Sequence, residues 1–445
     1  MTPYYSQNGI TIYHGKAEDV LKELADNSVD SLVTDPPAGI SFMGKIWDHD
    51  YGGRDGWCEA FAAIFAECLR VIKPGAHGLV WALPRTSHWT ATALEDAGFE
   101  IRDRVSHFFG TGFPKSLDVS KAIDRMAGVE QIPTGEFKRA SIQRNGVGDT
   151  WARGAFASHP EETKRVAITI PATDAARQWQ GWGIALKPAC EDWWLVRKPL
   201  SEKSIAANVL RWGTGAINID GCRIGTGGRE KQDGPSGAGF KTDKFMGAMG
   251  RGEPTQPNGL RKSSAGRWPS HLVLSHSAGC RQSPGHADPD GTETVEAWDC
   301  CDCCPVRMLD EQSGETVDGM AVNRNRPANI PNTIYNQGWK HSGRDEGYSG
   351  RGGASRFFYI AKPSKRERNL GGIDNRHPTV KSIQLMRYFC RMITPPGGTV
   401  LDCFGGTMST LVAARAEGFP AIGIEQDEQS CEWGVGRLSQ EVLAL

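Results

Sequence analysis

The sequence predicts an α/β protein whose open, largely parallel sheet is assembled from both ends of the chain. Three observations carry that prediction. Strand-like and helix-like segments alternate over residues 8–110, and the same alternation returns over residues 381–435. Between them lies a long stretch, glycine-rich from 221 to 266, in which periodicity vanishes. Alternation of this kind implies parallel strands joined by crossover helices, whereas glycine-rich aperiodic chain reads as loop.

The elements follow in order. GITIYHG at 9–15 reads as a strand, AEDVLKELA at 17–25 as a helix and Ser28–Val33 as a second strand. A helix over about 57–72 is expected to close at Lys73-Pro74-Gly75, with HGLVWAL at 77–83 following as a buried strand. In the second half, SIQLMRYFCRMI reads as a helix, Pro395-Pro396-Gly397-Gly398 as a turn and TVLDCF as a strand. A glycine turn, the helix STLVAARAEG and the strand AIGIEQ complete the sheet. The organisation expected is residues 1–220 as the first part of the sheet domain, with a basic insertion at about 112–175. Residues 221–355 form a loop-rich region, and residues 356–445 return to the sheet.

Bulk properties narrow the classes. A chain of 445 residues with a formal charge of −1 offers ample core and no global attraction for a polyanion, so any nucleic-acid surface has to be local. Two segments supply such a surface: residues 223–281 hold ten Lys/Arg against four Asp/Glu, and residues 321–368 hold ten against three. A solvated charged face is the plainer reading of either segment alone. The start MTPYYSQNG lacks a basic and then apolar leader, and no run approaches membrane length, so a soluble, non-secreted protein is expected. Twelve cysteines are too few for a disulfide scaffold, and Cys300, Cys301, Cys303 and Cys304 crowd into five residues.

Two stretches carry chemistry. At 34–48 the chain reads TDPPAGISFMGKIWD, in which Pro36 and Pro37 can continue neither a central strand nor a helix. Asp35 therefore sits on a stiff loop at a strand's carboxyl end, where open α/β sheets bind ligands. At 398–410 the chain reads GTVLDCFGGTMST, with Glu425 ending the next strand nineteen residues after Gly406. Strand, glycine turn, helix and acid make a nucleoside-binding unit, and the absence of GxGxxG argues for a nucleoside without phosphates, as in S-adenosylmethionine.

Taken together these motifs resemble the amino-DNA methyltransferases of bacterial and phage type, in the permuted order called the beta class. The catalytic motif Asp35-Pro36-Pro37 comes first, His377-Pro378-Thr379-Val380-Lys381-Ser382 precedes the cofactor strand, and Asp402-Cys403-Phe404-Gly405-Gly406-Thr407-Met408-Ser409-Thr410 comes last. GTGFPKSLDVSKAID, ALKPACEDWWLVRKPL and SRFFYIAKPSKRERN look like relatives too. The resemblance implies a Rossmann-like methyltransferase sheet with an inserted target-recognition region. It also implies methyl transfer from S-adenosylmethionine to the N6 amine of adenine in double-stranded DNA, after the base has been flipped out. Cytosine N4 methylation and a catalytically weak DNA-binding relative are the alternatives. No membrane partner is implied, the cytoplasm of a bacterial cell or infected host is expected, and a solitary enzyme or one paired with a restriction endonuclease both fit.

The resemblance also carries residue roles. Asp35 and the Pro36 carbonyl would accept the two amine protons, with Pro37, Ala38 and Phe42 completing the catalytic loop. Asp402, Phe404, Gly405, Gly406, Thr407, Thr410 and Glu425 would surround the cofactor, Glu425 taking the ribose. His377, Thr379 and Lys381 belong to the grip on the methionine carboxylate, and Ala17 aligns near the adenine. The chain departs from the family pattern at Ala38, where an aromatic is usual; at Lys16, where an acid is usual; at Met408, which replaces glycine; and at Ser382, which replaces proline. Phe42 and Trp47 could supply the missing ring or simply pack. Finally, His276-x3-Cys280 and Cys300-x3-Cys304 have the spacing of a structural zinc site, against the alternative of unliganded thiols. Cys304-Pro305-Val306 matches the ending seen in relatives, which favours Cys300 and Cys304 over Cys301 and Cys303.

Overall fold

The computed structural model describes the chain except residues 42–47, 111–115, 142–162, 225–266, 278–279, 288–293, 303, 315, 318–350, 362–368, 371, 374, 376, 378–379 and 440–445. Phe42, Lys45, Trp47, Thr379 and Cys303 thus lie outside the described residues, as do most of both basic segments.

A ten-stranded sheet organises the molecule. From one edge to the other its strands are Tyr5–Gln7, Ile10–His14, Ala421–Glu425, Val400–Asp402, Val29–Thr34, Ile72–Ala82, Cys190–Arg197, Glu100–Phe108, Leu272–Ser275 and Tyr359–Ala361. Pairing is parallel except at the Tyr5–Gln7 edge and on both sides of Cys190–Arg197. The two ends of the chain do share one sheet, as the alternation predicts. Leu272–Ser275 and Tyr359–Ala361 extend that sheet from within and just beyond the loop-rich region, so the sheet does not stop at residue 221.

Side chains alternate across the pleat and fill a layer on each face. Val33, Leu79, Leu195 and Val400 join one buried cluster with Met386, Phe389 and Leu411, from the helices Ile383–Ile393 and Ser409–Ala416. Their neighbours Leu32, Val80, Val196 and Leu401 join the other, with Val20, Trp57, Phe61, Phe65 and Leu94 from the helices Ala17–Glu23, Arg54–Val71 and Ser87–Asp96. Every residue of Val29–Thr34 is buried, as expected of a central parallel strand covered on both sides.

One expected boundary is corrected. Lys73-Pro74-Gly75 does not form a turn before the strand: Ile72–Ala82 begins directly after the helix, and the prolyl-glycyl step is a bulge within it. Val29 pairs with Ile72 and Ser31 already with His77, so the extra residues loop out. Gly75 takes φ +79°, and the Pro74 carbonyl it releases accepts from Asn208 Nδ2 at 2.8 Å and Thr214 Oγ1 at 2.6 Å. Within the basic insertion an antiparallel hairpin, Ile132–Ser141 with Thr163–Ile170, rises beside the helix Val119–Met126. Buried Asp124 ties the two together by accepting from Ala172 N, Thr173 N and Thr173 Oγ1.

Candidate active site

Val29–Thr34 and Val400–Asp402 lie side by side, yet their crossover helices lead to opposite sides of the sheet: Arg54–Val71 to Ile72–Ala82, and Ser409–Ala416 to Ala421–Glu425. That is the topological switch point, where the strand ends open a crevice. The two motifs meet there. Thr34 Oγ1 donates to Asp402 Oδ1 at 2.7 Å, and Asp35 follows as the first residue beyond its strand.

Asp35 is held by a cation. Lys381 Nζ lies 2.7 Å from Asp35 Oδ2, and the same ammonium sits 4.2 Å from the centre of the Trp81 ring, a cation–π contact. Although 25% of the Asp35 side chain stays exposed, burial raises its carboxyl to about 6, with Lys381 pulling down and the Glu191 and Asp402 charges pushing up. The resemblance gives Lys381 to the methionine carboxylate; the structure places its ammonium on Asp35. Ala38 packs against the core on the Trp81 side, and its carbonyl accepts from Thr86 Oγ1 at 2.8 Å. Gly39 N donates to Oδ1 of buried Asp48 at 2.8 Å. Trp57 crowds Gly39 from beneath and is 1% exposed, so it belongs to the core and not to a base-facing surface.

The glycine turn forms at the end of its strand, beside Glu425. Gly406 takes φ +50°, and its amide donates to Glu425 Oε2 at 2.7 Å, while Glu425 Oε1 accepts from Asp427 N at 2.8 Å. Each carboxylate oxygen thus retains a lone pair at the strand end, which suits vicinal hydroxyls. Burial raises Glu425 to about 7 against the pull of those two amides. Gly15 N donates to the Glu425 carbonyl at 2.9 Å, and Ala17 opens the following helix as a buried residue, so both stand beside the acid. The His377 ring lies against Gly406, 3.8 Å from where a β-carbon there would sit. Phe404 is partly buried with its ring 5.7 Å from that of Phe61.

Asp402, Thr407 and Thr410 are buried. Asp402 accepts from Thr34 and from Phe404 N at 3.2 Å, and burial raises its carboxyl against those bonds and one from Thr410. Thr407 is gripped from behind by buried Arg437, whose Nη1 reaches its carbonyl at 2.6 Å and its hydroxyl at 3.0 Å. These three therefore shape the turn, and Gly405 lets it pass: a β-carbon there would lie 2.7 Å from Met408 Sδ. Met408 itself takes φ +61° and is fully buried, in a slot kept open by Gly405, Gly423 and Gly434. The methionine at the glycine position therefore does not obstruct the turn. Ser382, in place of proline, caps the next helix by accepting from Leu385 N at 3.5 Å.

The resemblance took in ALKPACEDWWLVRKPL as a stretch, but gave no role to any residue on the far side of the crevice. Cys190–Arg197 runs antiparallel to its neighbours, so its first residues reach the edge where the others end. Glu191 stands opposite His107 in register, with His107 Nδ1 3.6 Å from Glu191 Oε2 and His107 Nε2 2.7 Å from Ser275 Oγ. Burial raises the Glu191 carboxyl, but the Lys381 ammonium and His107 outweigh it and hold it at about 2. The Trp81 indole N–H points toward Glu191 without completing a well-formed hydrogen bond. Two acids opening an otherwise apolar strand, in CEDWWLV, were the available signal.

One residue beyond Ser275, the same strand delivers His276 to the cysteine cluster. Ligand atoms of His276, Cys280, Cys300 and Cys304 all lie within 4.8 Å of one another. His276 Nδ1 is 3.4 Å from the sulfurs of both Cys300 and Cys304, close to the edge of about 3.5 Å that tetrahedral zinc with N and S ligands would give. Burial and neighbouring thiols push Cys280 and Cys300 to about 11, a cost that a divalent cation would remove. Trp298 stacks on His276 at 4.4 Å and covers the cluster on one side.

A carboxylate held by a lysine stands near a glycine turn and the Glu425 carboxylate, at the switch point of an open sheet. Residues 274–435 match the family model described as DNA methylase, the N6/N4 type. The type II methyltransferase M.BamHI of Bacillus amyloliquefaciens is 27% identical over 95 residues, covering 21% of this chain and 22% of that protein. The match thus spans about a fifth of the curated relative's length. Among solved structures the chain is similar to PvuII DNA methyltransferase, described as cytosine-N4-specific, at TM-score 0.42 and 12% identity over 100% of this chain and 91% of that one. It is also similar to the M1.HpyAVI–SAM complex, at TM-score 0.37 and 14% identity over 96% and 98%.

Proposed function

We propose that this chain is a DNA methyltransferase that uses S-adenosylmethionine and acts on the exocyclic N6 amine of adenine, flipped out of double-stranded DNA. The observation that carries the reading is Asp35, fixed by Lys381 at 2.7 Å and joined through Thr34 to the cofactor strand. An amine conjugated to a purine is a poor nucleophile because its lone pair is delocalised into the ring. Asp35 Oδ1, left open by Lys381 on Oδ2, accepts one N–H, and the Pro36 carbonyl accepts the other. Together they favour a pyramidal nitrogen, and rigid prolines hold them where they are needed.

Glu425, Gly405 and Gly406 would hold the nucleoside end of the cofactor, with Ala17 and His377 beside it; when bound, the cofactor supplies an electrophilic sulfonium methyl. A zinc ion on His276, Cys280, Cys300 and Cys304 would take all four protein ligands, which makes it structural. It would anchor the edge of the sheet to the recognition region. Asp35 in place of the serine more usual among cytosine enzymes supports adenine.

The test is direct. Duplex DNA is incubated with the protein and S-adenosylmethionine, digested to nucleosides and weighed. N6-methyladenine is the expected product. N4-methylcytosine in its place would move the activity to the other base, and DNA binding without either product would make the chain a non-catalytic relative.

A further inference from the structure

We infer that Glu191 is a positioning residue: acting through Lys381, it holds the Asp35 carboxylate in the orientation that receives the amine. The inference rests on the methyltransferase reading of Asp35, and it begins from topology. Because Cys190–Arg197 is antiparallel to Ile72–Ala82 and Glu100–Phe108, residue 191 falls at the same edge as Asp35. Period-two alternation then puts Glu191, His107 and Trp193 on one face, the face covered by the helix Ile383–Ile393 that follows Lys381.

The groups form a chain. Ser275 Oγ braces His107 Nε2 at 2.7 Å, and His107 Nδ1 faces Glu191 Oε2 at 3.6 Å. Glu191 in turn shares the field of Lys381 with Asp35, and the Trp81 ring supports the ammonium at 4.2 Å. A lysine is a flexible stem with a point charge, and one carboxylate alone would fix it poorly. Drawn to Asp35 at 2.7 Å, set over an indole and held in the field of Glu191, which stands beyond ion-pair distance, its ammonium is restricted in position. Its contact with Oδ2 at 2.7 Å then restrains the Asp35 rotamer, and among the described residues no hydrogen bond or ion pair takes Oδ1. Asp402 is the remaining charge near the pair, contributed by the neighbouring strand. Glu191 is ionised at any working pH, being held at about 2, so it is a permanent anchor rather than a proton carrier.

Two effects of removing Glu191 oppose each other at Asp35. Loss of a nearby negative charge lowers its pKa, whereas loss of a well-placed Lys381 raises it. The positioning role predicts that the second prevails.

The test uses the full chain as Glu191→Gln, Lys381→Met, the double variant, and Glu191→Asp as the conservative control. Glu191→Gln is expected to lower kcat by about 10- to 100-fold, the usual cost of a slightly misplaced reacting group, with KM for the cofactor little changed. Its acid limb should move to higher pH, Glu191→Asp should recover part of the rate, and in the Lys381→Met background the substitution should cost nothing further. An acid limb moving to lower pH, or losses that multiply in the double variant, would overturn the inference. Crystal structures of the Glu191→Gln variant and the unaltered chain supply a readout independent of activity. Lys381 displaced from Asp35 supports the inference even if no base is methylated, an outcome that would defeat only the methyltransferase reading. Lys381 still within hydrogen-bond reach of Asp35 overturns it whatever the rates.

Discussion

Thr34 Oγ1 lies 2.7 Å from Asp402 Oδ1, a buried hydrogen bond between residues 368 positions apart in sequence. It joins the last residue of the strand that presents Asp35 to the last residue of the strand that opens the glycine turn. The Asp35 loop and the glycine turn are thereby tied to each other.

Replacing Thr34 with valine keeps the shape and removes the donor. A buried acceptor left short of a partner costs about 1–3 kcal/mol, so Thr34→Val should lower stability in urea unfolding by that order. It should also raise the Asp402 carboxyl further, since the Thr34 bond pulls it down. An unchanged unfolding midpoint would show that the bond is not formed.

The left-handed Met408 is a compromise between strain and packing. A non-glycine residue in this conformation costs about 1–2 kcal/mol, while truncating a fully buried methionine costs about 2–5. Met408→Gly should therefore be destabilised by a net of about 2 kcal/mol, within a range of about 0–4, despite the relief of strain, read as a lower Tm. Gly434→Ala should also destabilise, because its β-carbon would lie 2.4 Å from Met408 Cγ.

The proposed ribose role of Glu425 predicts that cofactor affinity depends on pH. Its carboxyl, raised to about 7 by burial, is increasingly protonated as pH falls through that value, and the neutral acid is the poorer acceptor for ribose hydroxyls. Calorimetric titration with S-adenosylmethionine should show Kd weakening from pH 8 to pH 6, and Glu425→Gln should flatten the profile. A wild-type Kd independent of pH over this range would contradict the ribose assignment.

Metal analysis tests the cysteine cluster. One zinc per chain is expected, lost in Cys300→Ser and released by a strong chelator, with a lower Tm because a structural ion contributes folding energy. Metal-free protein with an unshifted Tm would mean that the four side chains pack as thiols.

Much of this was legible in the sequence because local rules and tertiary structure agree at the sheet's centre. Val29–Thr34 alternates and ends at Asp35-Pro36-Pro37, and Val400–Asp402 and Ala421–Glu425 are short, largely apolar stretches with Gly or Pro close by, so pattern and punctuation locate them within a residue or two. Asp35 and Glu425 follow as the acids at their ends. The far half of the crevice was not legible, for physical reasons. Leu272–Ser275 and Tyr359–Ala361 are too short to show a period, and each gains its place only by pairing with a distant strand. Glu191 acquires its role from the antiparallel direction of its strand, which no local pattern states. Lys73-Pro74-Gly75 looked like a stop because a bulge uses the same residues as a turn.

The central claim is that Asp35, held by Lys381, is the acceptor that activates the amine. Methyl transfer to duplex DNA at saturating cofactor, compared between the unaltered chain and Asp35→Ala, tests it most directly. The account predicts that transfer in the unaltered chain rises with pH through about 6 as Asp35 ionises. It also predicts that the variant loses transfer by at least about a thousandfold, the scale on which loss of an essential acceptor is felt, while its Kd for S-adenosylmethionine stays within a few-fold. Undiminished turnover in Asp35→Ala would contradict the account.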